Sequence, residues 1–218
     1  MNFTRKIKNG FTLAEVLITL VIIGVIASMT IPTLMNNTNK HEYVSRLKKS
    51  YSVLAQATRR IIADRGTPRA SVGGWADSHE NIFNIYKNYL SNAKECLPGQ
   101  TCFASIDYKN LNGTDNAFDL MDLTTYGRLV LADGSFAQFI YDNADCNGGQ
   151  QSDELNKVCA YIHVDTNGAK GPNKFGRDAF RFYISENGLF PTNCNLSSTN
   201  CTGHNCACTV LRENAMNY

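Results

Sequence analysis

The chain reads as an α+β protein: one long N-terminal helix followed by an antiparallel β-sheet domain held by disulfides. Three observations predict this. An apolar run from Phe11 to Leu34 continues, after a polar break, into a stripe of apolar residues at helical spacing. From Tyr126 onward the period changes to short alternating runs punctuated by Asp-Gly and Asn-Gly. Eight cysteines all fall in the second half of this plan, at Cys96 and beyond. A helix first and strands later is the α+β order.

The leader, residues 1–10, is short and basic, with Arg5, Lys6 and Lys8. The run from Phe11 to Leu34 is 24 residues, about 36 Å of helix, enough to cross the hydrocarbon core of a bilayer. Its one ionisable residue is Glu15. A charge near the membrane centre costs at least about 2.5 kcal/mol, so this carboxylate needs a function to justify its place. Gly24 and Pro32 interrupt the helix pattern, and local bending accounts for both. An ordinary secretory signal has an apolar region of about 7–15 residues with its cleavage site behind it, and this run is too long for that. A plain signal anchor would have no use for Glu15.

Beyond Asn36-Asn37-Thr38-Asn39-Lys40, apolar residues recur at Val44, Leu47, Tyr51, Leu54, Ala57 or Thr58, and Ile61. Arg46, Lys48, Lys49, Arg59 and Arg60 fall largely elsewhere. The helix is therefore expected to continue as an amphipathic spine and to stop near Asp64-Arg65-Gly66, with Pro68 blocking continuation. A coiled-coil partner is the alternative use of the stripe, but about three turns of repeat are few for one. The plan is thus a leader at 1–10, a spine helix at 11–65 with its membrane span at 11–34, and an outward globular domain at 66–218.

Residues 66–76 read as a loop. Asp77 or Ser78 caps a second helix whose buried side is Ile82, Phe83, Ile85, Tyr86, Tyr89 and Leu90, with Trp75 as an apolar anchor before it. Leu129 and Leu131, the turn Asp133-Gly134, then Phe136, Phe139, Ile140 and Tyr141 form a hairpin. A second strand pair is expected at Cys159–Val164 and Ala179–Ile184, with Asn187-Gly188 turning into Leu189-Phe190-Pro191.

The stretch Gly10-Phe11-Thr12-Leu13-Ala14-Glu15 and the helix behind it resemble the class III signal of type IV prepilins and type II secretion pseudopilins. The resemblance covers about Asn9 to Leu34 and the leader; Gly24 and Pro32 match places where the family helix carries these residues. It implies a pilin-like lollipop, with the helix packed on the sheet domain. It implies cleavage between Gly10 and Phe11 by a prepilin peptidase and methylation of the new amine, leaving Glu15 for assembly. It implies a structural subunit of a type IV pilus or type II secretion filament, whose partners are other pilin subunits and the inner-membrane assembly machinery. The alternative is a minor tip pilin binding a surface, DNA or cargo. Location follows: the bacterial inner membrane with the N-terminus cytoplasmic, then a periplasmic or surface filament. The basic leader favours the same orientation.

Net charge is +2, which offers no bulk attraction for nucleic acid outside a DNA-uptake role. Removing the leader takes three of 21 basic residues and none of 19 acids, leaving 18 against 19, or −1. No Gly-x-Ser-x-Gly, His-Glu-x-x-His or Gly-rich phosphate loop is present, and no catalytic residue is assigned. The cysteines Cys96, Cys102, Cys146, Cys159, Cys194, Cys201, Cys206 and Cys208 read as a disulfide set in an exported domain. Local pairing is expected for Cys96–Cys102 and Cys146–Cys159, with the last four pairing among themselves. Zinc held by Cys201, His204, Cys206 and Cys208 is the rival. No cofactor is expected unless calcium binds Asp165, Asn167 and Asp178, as it does in a sheet-domain loop of some pseudopilins. The preferred reading of this loop is a tight connection in which Asp178 pairs with Arg177 or caps backbone amides.

Overall fold

The computed structural model describes residues 10–97, 100, 106–114, 127–148, 157–192, 194, 201 and 203–217. The chain divides into two compact units, Met1–Asn39 and Lys40–Tyr218. Helix α1 (Leu13–Arg65) belongs to both, so the compact globular unit starts at Lys40, well inside the helix.

In the first unit, α1 is exposed along its apolar length, with only Ala27 half-buried among the residues from Leu13 to Met35. The hydroxyls of Thr19, Ser28 and Thr30 donate to carbonyls three or four residues back, at 2.8–3.0 Å. Folding each hydroxyl onto its own backbone leaves the outer surface apolar. It is the one helix among the described residues long and apolar enough to cross a membrane.

In the second unit, α1 ends where the sequence predicts. Gly66 takes φ +79° and its N–H reaches Ile62 O at 2.9 Å, closing the last turn with a glycine in the left-handed region. Trp75 is buried and donates from Nε1 to Gly66 O at 3.1 Å, tying the following loop to this end. Helix α2 (His79–Tyr89) is capped by Ser78, whose side chain accepts from Asn81 N, and buries Ile82, Phe83, Ile85 and Tyr86.

Six strands follow: β1 (Lys94–Cys96), β2 (Arg128–Val130), β3 (Phe136–Tyr141), β4 (Val158–Asp165), β5 (Ala179–Ser185) and β6 (Gly188–Pro191). They form one antiparallel sheet in sequential order, with a short helix α3 (Ala207–Glu213) after it. The β2–β3 turn is pinned by Asp133, whose Oδ1 accepts from Ser135 N and Oγ, with Gly134 at φ +83°. Leu131, expected in the strand, lies in this turn instead. Strand β1 is three residues long, and no apolar run announces it.

One face of the sheet packs on α1 and α2. Leu47, Leu54, Ile61, Ile82, Phe139, Ile162 and Phe182 fill this core. Tyr86 stacks on Phe139 at 4.6 Å between centroids, and its hydroxyl lies 2.6 Å from that of Thr58. Tyr51 packs against Phe182 at 5.4 Å. The opposite face is covered too, by Tyr108 and Phe175 among others. Directly paired across β2–β5 on that face are Arg128, Gln138, His163 and Arg181, all buried. Arg181 Nε donates to His163 Nε2 at 2.8 Å, and its guanidinium lies over the Tyr161 ring at 5.1 Å.

Candidate functional site

Gly10 and Phe11 precede α1 outside regular secondary structure, and Phe11 is 88% exposed, so the bond between them is accessible. The arginine and lysines of the leader lie outside the described residues. Helix α1 opens on a reciprocal cap. The Glu15 carboxylate oxygen Oε2 accepts from Thr12 N and from Thr12 Oγ1, both at 2.8 Å, while Glu15 N donates to Thr12 Oγ1 at 3.2 Å. Ser/Thr-x-x-Glu caps satisfy helix-end donors that otherwise have no partner. The negative group also sits at the positive end of the helix dipole. Thr12 was not singled out from the sequence, although Thr12-Leu13-Ala14-Glu15 carries the signature in full. Glu15 is thus held by its own chain, with one carboxylate oxygen taken up by Thr12.

The cysteines form disulfides Cys146–Cys159, Cys194–Cys208 and Cys201–Cys206. Cys96 is also disulfide-bonded, while Cys102 lies outside the described residues. The zinc reading is overturned: its three thiols are consumed in sulfur–sulfur bonds, and a metal needs thiolates. Cys146 and Cys159 are fully buried and join the segment after β3 to the start of β4.

Asp165 and Asp178 are brought together beneath the second face of the sheet, and both are buried. Asp165 accepts from Tyr108 OH at 2.5 Å and from Asn167 N at 3.0 Å. Asp178 accepts from Asn173 N at 2.8 Å and Lys174 N at 2.7 Å. Asn167 donates from Nδ2 to Gly171 O at 3.2 Å. The loop is thus closed by carboxylates capping amides, and among the described residues no three His, Cys, Asp or Glu side chains converge as a metal centre. Tyr108 was invisible as a partner, since it lies 57 residues from Asp165.

Burial, and then the negative charge of Asp178, push the Asp165 carboxyl from 3.8 up to about 7. Burial also raises Asp178. The folded chain therefore keeps a proton on Asp165 that the unfolded chain releases near 3.8. Between those two values the folded state binds more protons, so stability from this group is full below 3.8 and is lost as pH rises through about 7. Asp165→Asn removes the titration. Thermal unfolding should show the parent losing several degrees relative to the variant between pH 4 and 7.5, since about 1 kcal/mol moves a domain of this size by about 2–4 °C. Parallel curves for the two chains would rule out a protonated Asp165. Comparing the difference also cancels His79, whose Nδ1 accepts from Tyr141 N at 2.8 Å and whose pKa burial lowers.

Residues 5–31 match the family model described as the prokaryotic N-terminal methylation motif, the class III signal of type IV pilins and pseudopilins. The matched stretch contains Gly10, Phe11, Thr12, Glu15 and Gly24. No curated protein and no solved structure matches the chain. The motif is that of a pilin-type structural subunit, and the apolar helix behind it fits membrane anchoring.

Proposed function

We propose that this chain is a subunit of a type IV pilus or type II secretion filament, cut after Gly10, methylated on Phe11 and assembled through α1. The observation that carries the reading is the methylation motif at 5–31 opening an exposed apolar stretch, residues 11–34, whose single acid is Glu15. In this reading the leader stays cytoplasmic, the unit from Lys40 faces outward, and the membrane stores the subunit until an assembly machine extracts it. Head-to-tail contacts that do not close on themselves then build an open fibre. Asp165, Asn167 and Asp178 work as the internal ties of a loop, and calcium titration followed by thermal unfolding tests whether the ion adds to them. A second reading, a minor tip pilin that binds a surface, DNA or cargo, draws on the C-terminal segment, where Cys194–Cys208 ties α3 to the end of the sheet and Cys201–Cys206 closes the loop ahead of it. Abundance in sheared filaments separates the two.

Processing provides the direct test. Gly10→Trp should leave a full-length chain in the inner membrane, with the leader still attached, Phe11 unmethylated and no subunit in sheared filaments. Intact-mass measurement of the membrane fraction reads this. A variant that matures at Phe11 and enters filaments normally would remove the cleavage assignment.

A further inference from the structure

The globular unit leaves two apolar features uncovered at opposite ends of β3. At the end preceded by the β2–β3 turn lies a groove of about 280 Å³ between α1, the end of α2 and that turn. Val53, Leu90 and Leu131 give it apolar walls, and Lys49, Arg60 and Asp133 bring charge to it. Val53 is 38% exposed. Lys49 is engaged by Asp133 at 3.1 Å, whereas Arg60, among the described residues, makes no ion pair. The groove therefore carries one cation still to be matched.

At the other end of β3, six residues or about 20 Å along, the chain presents a corner. Val72 is 64% exposed there, more than any other large apolar residue among the described residues of the globular unit. It adjoins the segment after β3 through Ser71 N, which donates to Ala144 O at 2.9 Å. Asp145 follows directly, with its side chain 57% exposed. Arg69 is its ion-pair partner among the described residues, at 3.9 Å, and Arg69 also reaches Glu186 at 3.8 Å. An apolar knob with a carboxylate beside it thus stands at one end, and an apolar groove with an unmatched guanidinium at the other.

We propose that the corner of one copy, Val72 with Asp145, seats in the Val53–Arg60 groove of the next. This rests on the filament reading and names a lateral contact within it. Because knob and groove are different surfaces, the contact is head-to-tail and propagates, as a fibre requires. Charge complementarity between Asp145 and Arg60 fixes the register, while the apolar pair excludes water around it.

The test uses the full chain in cells that carry its assembly machinery. A photo-crosslinking amino acid at Val53 should join residues 70–72 or 142–145 of a second copy, as mapped by mass spectrometry. Arg60→Glu and Asp145→Arg should each lower the amount of subunit in sheared filaments by about tenfold, and the double reversal should restore most of it. Protease resistance of the unit from Lys40 checks that each variant is folded. Adducts only to another protein or another segment, or single reversals that assemble like the parent, would overturn the contact. The adduct is read in membranes as well as fibres. A chain cross-linked at this contact but absent from fibres would overturn only the filament reading; a fibre-borne chain without the adduct would overturn only the contact.

Discussion

Glu15→Gln and Glu15→Leu chains are expected to be cleaved after Gly10, to remain in the membrane, and to be nearly missing from filaments. A lone carboxylate in an apolar span must be neutralised by protonation or paired with a partner. Cleavage creates such a partner in the amine of Phe11, in the same chain or in a neighbour. Hydrogen bonds to charged groups contribute about 1.5–3 kcal/mol, so losing one per subunit lowers incorporation by about tenfold or more. The cap at Thr12 sharpens the comparison, because Gln also completes a Ser/Thr-x-x-Gln box. Glu15→Gln keeps the cap and loses the charge; Glu15→Leu loses both; Thr12→Val loses the cap and keeps the charge. If capping were the whole role of Glu15, the Gln variant would assemble like the parent and Thr12→Val would fail. If charge pairing carries assembly, the Gln variant fails with the Leu variant. Parent-like filament yields for both Glu15 variants would leave the acid without a part in assembly. Anti-filament immunoblots of sheared and membrane fractions provide the readout.

Replacing Cys146 and Cys159 together by alanine is expected to lower stability by about 2–4 kcal/mol, a large share of a domain's about 5–15. The bond closes a separation of 13 residues, and both side chains are fully buried in the main core. Removing it therefore frees the segment between β3 and β4 in the unfolded chain and also leaves two small voids in the folded one. The melting temperature should fall by about 4–16 °C at about 2–4 °C per kcal/mol. Alkylation of the parent without reductant should label none of the described cysteines. An unchanged melting temperature, or thiols labelled at 146 and 159, would show the bridge to be absent or without weight.

Helices were legible where end signals sit beside the periodic residues they serve. Ser78 before Ile82, and Gly66 after Ile61, mark their boundaries within a few residues. The Cys146–Cys159 bridge and the pairing of the last four cysteines among themselves follow from nearness along the chain, but the nesting of Cys201–Cys206 inside Cys194–Cys208 does not. The limits of β4 and β5 fall within one residue of the expected Cys159–Val164 and Ala179–Ile184, but the covering of both faces was harder to read. Strand β5 is buried at every position, and β4 at all but one, so polar and apolar alternation does not report which face is covered. The layer over the second face was hidden for a related reason. Its tie runs from Tyr108 to Asp165, 57 residues apart, and no local pattern encodes such a distance. At the start of α1 the sequence marks Glu15 as out of place, but the hydroxyl that holds it does not stand out, because a threonine next to an apolar helix is ordinary.

The sequential order of the sheet sets a timetable for covering the spine. A chain emerges N-terminus first, and each strand of β1 to β6 pairs with the one made just before it. The lower part of the spine stripe is covered early, since Thr58 meets Tyr86 only 28 residues on. The upper part waits much longer. Tyr51 donates to Leu189 O, 138 residues later, and Lys48 reaches Asn214 across 166. Until β6 and the segment around Asn214 arrive, Tyr51 has Phe182 of β5 beside it but not the Leu189 carbonyl, and Lys48 lacks Asn214, so this part of the spine is incompletely covered. A nascent subunit thus passes through a stage at which premature helix-to-helix association competes with its own folding, and chains truncated before β6 are expected to meet that hazard permanently.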